Sequence, residues 1–131
     1  MATPNLTNWT CGLQTGESYK LEVLVAGSWW KVGTASASEL SSSEVSFKGS
    51  YDRFGYHGSF DLSLKVTGDN TGSFSVNGKT RPCTFTEAGK YLYVHFNEGG
   101  RNVTLDVECW EHGIWFGGDA VPGGHHIWIG K

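Results

Sequence analysis

Several things are scarce in this chain of 131 residues. No apolar run approaches the length of about 20 residues that a membrane-crossing helix needs, which excludes a helical span. Charge is thin: Asp, Glu, Lys and Arg make up 18%, with a formal net charge of −3. That balance removes the electrostatic motive for binding nucleic acid, and it argues against an anionic membrane as partner. Low charge beside an apolar fraction of 38% also excludes a disordered chain. The start, Met1-Ala2-Thr3-Pro4, has no basic region followed by an apolar stretch, so no signal peptide is visible. A cytosolic or non-classically secreted protein is therefore expected. Sequons at Asn5, Asn8 and Asn102 matter only if the chain is secreted.

Cysteine is limited to Cys11, Cys83 and Cys109, without the close pairwise spacing of a zinc site. The odd number leaves at least one thiol unpaired, which points to a reducing compartment and small buried thiols. A Gly-x-Ser-x-Gly elbow, a P-loop and a dinucleotide-binding glycine motif are all missing, as is an EF-hand-like loop. No cofactor or metal is expected. His125-His126 does not change this, because adjacent strand residues point to opposite faces and cannot share one ion.

Helical periodicity is nearly absent too. In its place stands short alternation broken by Gly, Asn or Asp, which gives strands at 19–25, 28–33, 44–50, 59–67, 72–77, 80–87, 90–98, 101–109, 113–118 and 125–130. About ten short strands predict a single all-β domain over 1–131, either an antiparallel sandwich or an up-and-down barrel. Residues 1–17 form an N-terminal arm, and the Ser-rich stretch 33–43 reads as a surface loop.

Turn chemistry fixes the register of the C-terminal half. Gly99-Gly100 suits a primed two-residue turn and sets Glu98 opposite Arg101, as an exposed ion pair, and Phe96 opposite Val103. The turn 87–90 sets Phe85 opposite Leu92 and Cys83 opposite Val94. A turn at Glu111-His112 sets Cys109 beside Ile114, and the type II sequence Val121-Pro122-Gly123-Gly124 sets Phe116 opposite Ile129. One face then carries Cys83, Phe85, Leu92, Val94, Phe96, Val103, Leu105, Val107, Cys109, Ile114, Phe116, Ile127 and Ile129, which is a hydrophobic core. Cys83 and Cys109 are offset too far for a mutual disulfide, so both are expected as free thiols.

The six Trp are the positive feature of the composition, and the opposite face holds three of them. It carries Tyr91, Tyr93, His95, Asn97, Asp106, Glu108, Trp110, Trp115, His126 and Trp128, with Asp119 opposite His126. Sugar rings stack apolar C–H faces on aromatic rings, while their hydroxyls need planar amide or carboxylate partners. This face supplies both, so a lectin-like platform for a glycan or other hydroxyl-rich ligand is the expected function. Three alternatives accompany it. In the first, the aromatic residues are there because they pair well across strands. In the second, the same face lines a barrel lumen for a small ligand, with catalysis as a subset. Adjacent Trp29 and Trp30 face opposite ways, so at most one joins the core; the other extends the binding face or inserts into a lipid interface, as in cytolysin-like β-sandwiches. The exposed loop 51–57 shares that amphipathic character.

Leu92-Tyr93-Val94-His95-Phe96-Asn97 resembles the sugar-contacting strand of galectins, in which alternate His and Asn face the ligand. The likeness covers these six residues; the next same-face position is Gly99 in place of Arg, and no Trp-x-x-Glu-x-Arg stretch follows. Membership of that family is not inferred. His95, Asp106 and Glu108 are the residues acid–base chemistry would use, and the two carboxylates share a strand face, but they sit on an open surface without a lid. An enzyme is not the favoured reading. Oligomerisation, which would raise avidity, is compatible with the sequence.

Overall fold

The computed structural model describes residues 3–118 and 125–131. It contains β1 (Ser18–Val25), β2 (Ser28–Leu40), β3 (Glu44–Arg53), β4 (Tyr56–Gly68) and β5 (Thr71–Val76). These are followed by β6 (Lys79–Ala88), β7 (Tyr91–Glu98), β8 (Arg101–Trp110), β9 (Gly113–Gly118) and β10 (Ile127–Gly130). Every strand pairs antiparallel with its sequence neighbour, and β10 pairs with β1. The result is a closed up-and-down barrel and not a sandwich. Closure leaves no sheet edge exposed.

The alternation in the sequence builds this wall directly. Every residue assigned to the C-terminal core face is buried except Cys109, and the N-terminal half adds Leu21, Val45, Phe47, Leu62, Leu64 and Phe74. The interior is packed with apolar side chains, so the aromatic face lies outside the wall. A lumen lined by that face is thereby corrected.

Two of the four derived registers hold residue for residue. Phe96 pairs with Val103 and Tyr91 with Glu108 across β7 and β8. Cys109 pairs with Ile114 and Val107 with Phe116 across β8 and β9. The other two shift by two residues: Phe85 faces Val94 and Cys83 faces Phe96, while Phe116 faces Ile127. In the first case Gly89 takes the positive φ of 61° and Ala88 stays in the strand, where no left-handed conformation is asked of it. A shift of two preserves which face each side chain occupies, so the core assignment survives. The turn 121–124 and the Asp119–His126 pairing lie outside the described residues.

Three further expectations are corrected. The stretch 33–43 is not a loop: β2 runs on to Leu40, with Ala35 and Ala37 buried on its inner side. Its small residues mark close approach of chains, since a Cβ on Gly33 would lie 1.9 Å from the Ser50 carbonyl oxygen. The stretch 51–57 is the tip of the β3–β4 hairpin, turning at Phe54 and Gly55 with φ of 58° and 81°. Cys109 is not a free thiol but is disulfide-bonded to Cys11. Its inward parity is as derived, but at the end of β8 that position meets the N-terminal arm. Cys83 is free and buried, as expected.

The arm closes one end of the barrel. Its short 3-10 helix, Leu6–Trp9, is capped by Asn5, whose Oδ1 accepts from the Thr7 amide. Leu6, Trp9 and Leu13 are buried. The Leu6 amide donates to the Ser42 carbonyl at 2.9 Å, and Trp9 Nε1 donates to the Lys90 carbonyl at 3.1 Å. These bonds tie the arm to the β2–β3 and β6–β7 turns.

Candidate functional site

On the outer wall, one row of paired positions crosses the strands: Glu22, Trp128, Trp115, Glu108 and Tyr91. Outward-facing positions along β9 and β10 alternate between Gly and Trp, and this lets the indoles lie down on the sheet. A Cβ on Gly117 would sit 2.2 Å from Trp115 Cζ2, and one on Gly130 would sit 2.5 Å from Trp128 Cζ2. Any side chain at these glycines would lift the rings.

Trp115, Trp110, Tyr91 and Glu108 are brought together around a cleft of about 310 Å³, with Trp29 completing the wall. Trp29 and Trp110 pack with ring centroids 5.8 Å apart. Tyr91 stacks on Tyr93 at 5.7 Å, which extends the aromatic surface along β7. Glu108 is 9% exposed, and its carboxylate is held by Lys90 Nζ at 3.3 Å. The ammonium of Lys90 also lies over the Tyr91 ring at 5.4 Å. A neighbouring hollow of about 330 Å³ runs between Trp29, Trp110, Trp128 and Glu22 toward Lys131.

The remaining candidates stand elsewhere or serve other ends. Trp128 is buried at 6% exposure, and its Nε1 donates to the Trp110 carbonyl at 2.8 Å. It supports Trp110 and offers only part of its surface to the hollow. Both ring nitrogens of His95 are taken, by Thr86 Oγ1 at 3.0 Å and Thr104 Oγ1 at 3.1 Å. Asn97 Oδ1 accepts from the Gly100 amide and so fixes the hairpin turn. Asp106 comes close to Gly118, where a Cβ would lie 2.8 Å from its Oδ1. His126 meets the Trp115 ring edge-on at 5.2 Å. Tyr93, His95, Asn97, Asp106 and His126 therefore do not line the cleft. Glu108 is the acid among the described residues that line the cleft.

Neither Trp29 nor Trp30 enters the core. Trp29 joins the cleft, as the opposite-facing argument allows, while Trp30 stands exposed against Phe54 at 5.7 Å. His125 and His126 also diverge as derived, one to the barrel mouth and the other to Trp115. The Glu98–Arg101 register holds, but the Glu98 carboxylate pairs with Lys79 at 3.1 Å and with Arg81. Comparison with protein-family models, with curated proteins and with solved structures finds no match to this chain.

Proposed function

We propose that this chain is a carbohydrate-binding domain whose ligand enters the cleft between Trp29, Trp110, Trp115 and Tyr91. The observation that carries the reading is Glu108 at the base of four aromatic rings. Flat rings present negative faces to the C–H groups of a sugar. A carboxylate held by one ammonium keeps acceptor capacity for hydroxyl hydrogens, which it takes more strongly than a neutral acceptor does. The Trp115 ring rests on the Gly117 backbone in a closed barrel, so little ordering entropy opposes its part in binding. The chain's low charge suits a neutral, hydroxyl-rich ligand.

The test is a glycan array probed with wild type, Trp115→Ala and Glu108→Gln. Wild type binds a restricted set of glycans, and each variant weakens binding by about 30-fold, close to 2 kcal/mol, with the fold retained. Wild-type affinity in both variants, or no glycan bound at all, overturns the assignment.

A further inference from the structure

The two ends of the barrel differ. The arm with Leu6, Trp9 and Leu13 seals one. At the other, where the β1–β2, β3–β4 and β5–β6 turns lie, the packed interior gives way to a cavity of about 480 Å³. Leu21, Val23, Phe60 and Ile127 are among the side chains that form its walls, so its surface is mainly hydrocarbon. That volume lies within the range of sites that enclose small organic ligands.

The rim is aromatic, and among the described residues that line it Arg53 carries a fixed positive charge. Arg53 lines the cavity, and its guanidinium carbon sits 5.2 Å from the Trp30 ring centroid and 5.3 Å from that of Phe54. The Lys31 carbonyl, 3.2 Å from its Nη1, accepts one of the five N–H donors that a guanidinium offers. Among the described residues no carboxylate lies within ion-pairing distance of Arg53. Two rings and a carbonyl thus hold a planar cation at the mouth of an apolar chamber. Phe54 and Tyr56 stand beside it at 58% and 74% exposure.

We infer that the barrel mouth is a second binding site, for an amphiphile with a hydrocarbon tail and a carboxylate head. The tail fills the chamber between Val23, Phe60 and Ile127. The head meets the Arg53 fork, whose geometry matches a carboxylate with two parallel hydrogen bonds. This site lies inside the barrel, whereas the aromatic cleft lies on its outer wall, so the two readings stand or fall separately.

Isothermal titration with dodecanoate below its micelle concentration tests the inference, using the whole chain. Dodecanoate binds one to one, and decanoate binds about tenfold more weakly because two methylenes are lost from the buried tail. Arg53→Gln weakens dodecanoate about tenfold but leaves dodecanol unchanged. Val23→Phe, which projects a ring into the chamber, abolishes both while thermal unfolding shows an intact domain. Any of three results overturns the inference: no binding of dodecanoate, binding that survives Val23→Phe in the folded protein, or attachment only to lipid vesicles with no free amphiphile bound.

Discussion

The sulfur of Cys109 is bonded to that of Cys11, and the next residue, Trp110, forms a wall of the aromatic cleft. The bond joins the N-terminal arm to the end of β8 across 98 residues of sequence. Cross-linking so distant a pair restricts the unfolded chain strongly, and loss of a native disulfide costs about 2–5 kcal/mol. The double variant Cys11→Ser, Cys109→Ser is expected to lose stability in that range, read as a lower urea midpoint, with a steeper slope because the unfolded chain without the cross-link exposes more surface. An unchanged midpoint would mean that the arm is held by Leu6, Trp9 and Leu13 alone.

Cys83 behaves in the opposite way. Burial pushes its thiol pKa up to about 12, so the reactive thiolate is rare near neutral pH. A thiol reagent such as dithionitrobenzoate should find no reactive group in the native protein and one group per chain after unfolding in denaturant. Two or three reactive groups after unfolding without reductant would contradict the Cys11–Cys109 pairing.

Gly117 is where a small change should alter the cleft and spare the fold. A methyl group there meets the far edge of the Trp115 indole, at 2.2 and 2.3 Å from Cζ2 and Cη2. The ring must lift off the sheet and into the cleft. Gly117→Ala should therefore weaken glycan binding about tenfold or more, with a stability change of about 1–3 kcal/mol. Unaltered affinity in a variant with a displaced Trp115 would show that ligand does not use this ring.

Glu98 gives the barrel an acid-sensitive contact. Hydrogen bonds from Lys79 and Arg81 lower its carboxyl pKa below the ordinary value of 4.5. A folded-state pKa below the unfolded one adds stability above the unfolded value and loses it as pH falls through the folded value. Wild type should therefore melt higher than Glu98→Gln near neutral pH, and the gap should close below about pH 4. The group is solvent-exposed, so the gap is expected to be small. A gap independent of pH would assign the effect to something other than charge.

The C-terminal half was legible in the sequence because its turns announce themselves and its inward residues are large. Gly99-Gly100 and Glu111-His112 set registers that the barrel keeps, and from them Tyr91, Glu108, Trp110 and Trp115 fall on one outer face. The N-terminal half was harder to read. Ala35, Ala37 and Gly33 alternate as small residues, and the hydrophobic pattern that marks a strand is muted where chains pass close together. The Cys11–Cys109 bond depends on where the arm folds back, which no hairpin rule specifies. His95 and Asn97 share the face by parity, yet Thr86 and Thr104 engage both ring nitrogens of His95, and the Gly100 amide engages Asn97 Oδ1. Parity assigns a face; it does not say which groups on that face are available. Trp29 reaches the cleft from β2, which comes near the C-terminal half only when β1 pairs with β10 and closes the barrel.

The six indole N–H signals allow the central claim to be checked in one titration, by two-dimensional nitrogen–proton NMR with a glycan selected on the array. The indoles of Trp29, Trp110 and Trp115 should shift with ligand and saturate together. Those of Trp9, bonded to the Lys90 carbonyl under the arm, and Trp30, at the barrel mouth, should stay in place. Shifts confined to Trp9 or Trp30, with the three cleft indoles unmoved, would contradict the account.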